Sequence, residues 1–101
     1  MNTDSINKEL SVHKQFSADL DIEVTKIADL LKAKNLAYGN SALEPLRIFS
    51  SLDAVESLLV RMDDKLARIR NRGINDDTED TVDDLIGYLF LLKLALLKKG
   101  A

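Results

Sequence analysis

Arg61, Lys65, Arg68 and Arg72 stand at i, i+4, i+7 and i+11 in the stretch RMDDKLARIRNR, and a short loop later EDTVDDLIGY carries Asp80, Asp83 and Asp84. On a helix the four basic side chains fall within a sector of about 60°. Like charges so spaced cost a few tenths of a kcal/mol per pair. Asp64 relieves Arg61 and Arg68, but Lys65 and Arg72 still call for a counter-charge. Asp80, Asp83 and Asp84 lie within two turns, where mutual repulsion opposes ionising all three. A hard cation such as Mg²⁺ would offset that repulsion through oxygen ligands and would bridge to ligand phosphates. Neighbouring Arg and Lys donors would then hold the phosphate oxygens. The same residues also suit a plainer arrangement, in which basic side chains of one helix pair with carboxylates of the next. Spacing alone does not separate the two.

The elements that would position these groups follow from periodicity and capping. A helix is predicted from Asp53, where Asp53 and Glu56 have the spacing of a capping box, to a stop at Gly73. Val55, Leu58, Leu59, Met62, Leu66 and Ile69 give it an apolar face. A further helix is predicted from Asp77 or Thr78 to Lys98, acidic in its first turn and basic in its last, as the helix dipole favours. So short a loop joins them that they should form an antiparallel hairpin. Counting from the loop sets Lys65 level with Asp84, Arg61 with Tyr88, and Met62 with Gly87. Asp80, Asp84, Gly87 and Leu91 share a face, bordered by Asp83 and Tyr88. Gly87 costs about 1 kcal/mol against Ala inside a helix, so a close neighbour, another backbone or a ligand, is expected there.

Upstream, Leu20, Val24, Ile27 and Leu31 make one stripe and predict a helix over residues 19–34. Residues 1–18 have weak periodicity and read as an N-terminal arm with at most a short helical piece, leaving 19–101 as a single all-α domain. The stretch 35–52 is irregular: Gly39 with Asn40 signals a turn, and Pro45 holds Glu44 extended. So long a connection is usually functional or disordered. Leu43, Leu46, Ile48 and Phe49 argue against disorder.

Composition narrows the classes. The 101 residues are one domain by length, and four Gly with one Pro are too few for the turns of a β-sandwich. Without cysteine there are no disulfides, thiolate metal sites or cysteine nucleophiles, and one histidine, His13, rules out a multi-histidine centre. A net charge of −3 gives the whole surface no electrostatic reason to bind nucleic acid. The most apolar run, Leu85 to Leu97, has 13 residues and contains Lys93, too short for a membrane span. With no apolar signal core at the N-terminus, a cytoplasmic protein is expected. Eleven of those 13 residues are apolar or Tyr on every side of the helix, which predicts burial all round and hence a homo-oligomer, dimer or larger.

The blocks AKNLAYGNSALEPLRIF, VRMDDKLARI and EDTVDDLIGYLFLLKLAL, in this order over roughly residues 30–97, resemble the phage and prophage family called nucleotide modification associated domain 1. That family is similar to the MazG-like all-α nucleoside triphosphate pyrophosphohydrolases. The resemblance implies an oligomerising helical bundle, phage-encoded and acting in the host cytoplasm. It also implies nucleotide binding, with or without Mg²⁺-dependent cleavage of the α–β phosphoanhydride. On this reading Asp80, Asp83 and Asp84 hold Mg²⁺, and Asp80 to Asp83 stand for the E-x-x-D of those enzymes. Lys34, Asn35 and Tyr38 match the family's loop motif, with Tyr38 stacking on a base. Arg61, Asp64, Lys65 and Arg68 complete the ligand site. The preceding helix offers MDDK where MazG-like enzymes carry E-E-x-x-E, which favours binding over hydrolysis and assigns no catalytic residue. The competing expectation is a non-catalytic phage accessory protein that acts through a protein partner.

Overall fold

A computed structural model describes residues 2–75 and 78–100. Among the described residues the fold is all-helical: α1 (Thr3–Tyr38), α2 (Ala54–Arg72) and α3 (Glu79–Lys99). No described helix is long and apolar enough to cross a membrane.

The first helix differs from expectation. The presumed arm 1–18 and the helix expected over 19–34 are one continuous helix of 36 residues. Asn2 caps it, its side chain accepting from the Asp4 amide at 3.0 Å. No Gly or Pro interrupts the chain before Gly39, so once started the helix has nothing to stop it. Gly39 then takes left-handed geometry (φ 61°) and donates its N–H to the Asn35 carbonyl. Asn40, also left-handed, donates to the same oxygen at 3.1 Å. The turn expected at Gly39–Asn40 is therefore the end of α1.

The hairpin matches its expected bounds closely. Asp53 is the N-cap of α2 and accepts from the Glu56 amide at 2.9 Å. Gly73, at φ 76°, closes it by donating to Ile69. In the connection, Thr78 Oγ1 accepts from the Asn75 amide at 2.6 Å and donates to the Gly73 carbonyl at 3.3 Å. Thr78 precedes α3 without capping it by a side-chain hydrogen bond. Asp77, the earlier of the two expected starts of the last helix, lies outside the described residues.

Burial is concentrated where α2 and α3 face each other. Leu58 is only 1% exposed, and Ala95 on α3 is buried too. Other members of the expected α2 face fare less well, since Leu59 and Leu66 are exposed. On α3, Leu89, Phe90, Leu94, Leu96 and Leu97 are exposed, so one chain does not enclose the girdle expected to be buried all round. Ile27 is the single buried residue of α1. The molecule is elongated, 64 × 36 × 25 Å, with a radius of gyration of 18.3 Å, against about 13 Å for a compact domain of this length.

Candidate functional site

The carboxyl-terminal third of α1 crosses α3 at Gly87. A Cβ built on Gly87 would stand 3.2 Å from Leu31 Cδ2. The close neighbour at Gly87 is the Leu31 side chain, not the backbone or ligand expected there, while Met62 on α2 comes no nearer than 4 Å. Beside this crossing opens a cleft of about 370 Å³. Its base is apolar, from Ile27, Leu31 and Leu91; Lys34, Asn35 and Tyr38 rim it on α1, Arg61 on α2, and Asp83, Asp84 and Tyr88 on α3. The turn after α1 adds Ser41 and Ala42. That turn is held by the Ser41 amide donating to Tyr38 at 3.2 Å and the Glu44 amide donating to Asn40 at 2.9 Å.

One charge pair buttresses the cleft. Lys65 Nζ lies 2.9 Å from Asp84 Oδ2, with the two side chains 24% and 29% exposed. Hairpin arithmetic had set these residues level, and the contact forms as counted. Lys65 thus neutralises one of the cleft's two carboxylates from behind. Among the described residues, Lys34, Arg61 and Asp83 have no ion-pair partner. The cleft therefore presents two free cations and one free carboxylate around an apolar base, with an exposed phenol at its mouth.

The sequence-derived site residues divide accordingly. Lys34, Asn35, Tyr38, Arg61, Asp83 and Asp84 converge on the cleft. Asp64 and Asp80 are exposed and do not line it. Arg68 faces a separate recess of about 50 Å³ with Arg72, Thr78 and Thr81. Tyr88, at the border of the α3 face, is half-buried and lines the cleft. Ser41 was missed: the Gly39–Asn40 signal marked a turn, but nothing local says that the turn folds back over α1.

Among the described residues, no three carboxylate or imidazole side chains are grouped to hold a metal ion. Asp83 and Asp84 share the cleft, but Asp80 does not join them. A free Mg²⁺ ion is thus poorly served by Asp80, Asp83 and Asp84 as a set. A metal–nucleotide complex is less demanding, because Mg²⁺ commonly takes one or two carboxylates, with phosphate oxygens and water filling the octahedron. Asp84 is already paired with Lys65, which leaves Asp83 as the cleft's one unpaired carboxylate.

No protein-family model matches the chain, and no curated protein or solved structure does either.

Proposed function

We propose that the chain is a phage-type, MazG-like nucleotide-binding protein and that the cleft at the α1–α3 crossing is its binding site. The observation that carries this reading is the convergence of Lys34, Asn35 and Tyr38 with Arg61 and Asp83. These residues come from three separate sequence blocks, yet they rim one cleft. Tyr38 offers a π face for a base, and Asn35 a side-chain amide with both donors and an acceptor for its edge. Lys34 and Arg61 hold phosphate oxygens by charge-assisted hydrogen bonds. Asp83 would hold Mg²⁺ brought in with the nucleotide, and the ion would supply positive charge to the phosphates. Either a nucleoside triphosphate pyrophosphohydrolase or a degenerate relative that only binds fits this arrangement. The MDDK in place of E-E-x-x-E and the scattered third carboxylate support the second form. Assembly into a homo-oligomer belongs to the same proposal, supported by the open apolar face of α3.

The test is a thermal-shift panel of nucleotides with and without Mg²⁺. At least one nucleotide should raise Tm, more so with Mg²⁺, and Arg61→Ala or Tyr38→Ala should remove the shift. Indifference to every nucleotide at millimolar concentration, in both metal conditions, would sink the binding reading. The accessory-protein reading has its own support in the loop after α1, where Leu46, Ile48 and Phe49 are all exposed around Arg47 at φ 59°.

A further inference from the structure

The amino-terminal two thirds of α1 stands away from the rest of the chain, and its residues are nevertheless ordered by a rule. Ile6, Leu10, His13, Ser17, Leu20, Val24, Ile27 and Leu31 follow one another at alternating intervals of four and three. That is the repeat of a coiled-coil seam, with a positions at Leu10, Ser17, Val24 and Leu31, and d positions at Ile6, His13, Leu20 and Ile27. At its carboxyl-terminal end the seam is already in use: Ile27 is buried and Leu31 meets α3 at Gly87. Towards the amino terminus the same stripe continues without a partner, and Ile6, Leu10, Leu20 and Val24 are exposed. The segment also holds Val12, Ile22, Val24 and Thr25, β-branched residues of modest helix propensity. Most helical stability comes from a packed face rather than from propensity, so this stretch calls for one.

We infer that α1 pairs with α1 of a second copy over residues 6–24, as a parallel, in-register two-stranded coiled coil that forks where each α1 meets its own α3. Continuity of the seam names the surface, and flanking charge selects the direction. In a parallel pair each g position faces the e position five residues on in the partner helix. Glu9 at g then meets Lys14 of the second copy at e, twice by symmetry. An antiparallel pair with matched apolar layers sets Leu10 against Leu20 and Ile6 against Val24 of the second copy. It also sets Glu9 against Glu23 and Lys14 against Lys14, and both flanking contacts are repulsive. Only the parallel pair is free of these. The two polar seam positions, His13 and Ser17, are adjacent layers, and polar layers of this kind fix register at a cost in stability. This interface is separate from the cleft and from the outer face of α3, so it stands or falls apart from the nucleotide reading.

The chain lacks cysteine, so single cysteines report on the geometry directly. In the full chain, His13→Cys and Ser17→Cys should each form a covalent dimer on mild oxidation, since d meets d and a meets a in a parallel pair. Sedimentation of the unmodified chain at tens of micromolar should give a mass above the monomer, and Leu10→Glu with Leu20→Glu should lower that mass and abolish both crosslinks. That double variant should keep the thermal transition of the α2–α3 hairpin, which confirms that the rest of the fold is intact. A monomeric wild type overturns the inference. So does a dimer in which neither cysteine variant crosslinks alone but a mixture of the two does, because that is the antiparallel pair. Crosslinking at His13→Cys or Ser17→Cys that survives Leu10→Glu with Leu20→Glu overturns it as well.

Discussion

The α2–α3 hairpin and the amino-terminal part of α1 are built from helices of comparable length and similar residues, yet they meet water differently. In the hairpin, Leu58 is fully enclosed, Ala95 is covered, and Lys65 and Asp84 find each other at 2.9 Å. Along α1 before Ile27, no residue is buried. The hairpin closes because its connection is short and its two faces are complementary, so loop closure costs little and each helix supplies the other's partner. The amino-terminal part of α1 has no neighbour in sequence that can turn back over it. Local complementarity makes the first region self-sufficient, and its absence leaves the second dependent on another surface.

The sharpest way to break that contrast is to empty the hairpin core. Leu58→Ala should cost about 2–5 kcal/mol, read by urea denaturation followed by circular dichroism. If the hairpin is the self-sufficient unit, this variant should lower its midpoint more than any substitution between Ile6 and Val24. An equal loss from Leu10→Ala would show that the two regions fold as one.

Gly87→Val comes next, because it attacks the point that joins the regions. Its side chain must enter space within 3.2 Å of Leu31 Cδ2, and overpacking of this kind costs about 1–3 kcal/mol. Adding Leu31→Ala should recover part of the loss, and a double-mutant cycle measures that coupling. Additive losses would mean that α1 and α3 do not meet there.

Smaller effects separate the two inter-element ion pairs. Lys65→Ala should lower stability by about 1 kcal/mol, since it leaves Asp84 partly buried without its cation. Unchanged or raised stability would instead identify the pair as strained and held for a ligand. Glu44→Gln, which breaks a contact of 3.7 Å between exposed Glu44 and Lys98, should change the midpoint by less than about 0.5 kcal/mol. The order of these two melts tests whether burial, rather than the mere presence of a pair, sets the strength.

How far the fold could be read from sequence depended on whether its signals were local. Asp53 and Gly73 bound α2 because capping is decided within four residues. The level of Lys65 with Asp84 needed only a short loop and a constant rise per residue. The length of α1 was missed because His13 and Ser17 interrupt the stripe, and Val12, Phe16 and Ile22 scatter apolar residues off it. In the candidate site, the same hairpin counting sets Arg61 level with Tyr88, and both line the cleft. Lys34, Asn35 and Tyr38 carry a resemblance and no local signal of their own, and their approach to Arg61 depends on the angle at which α1 crosses α3. Gly87 announced a close neighbour; it could not say that the neighbour would be Leu31, 56 positions earlier.

That crossing has a mechanical side. A helix of 36 residues touching its own domain near Leu31 behaves as a beam resting on a fulcrum. About 42 Å of helix extends from the fulcrum to Thr3, and about 10 Å from it to Tyr38, at 1.5 Å per residue. A tilt that carries the far end through about 4 Å therefore carries Tyr38 through about 1 Å in the opposite sense. The mouth of the cleft is on the short end of that lever, and whatever grips the long end sets its width.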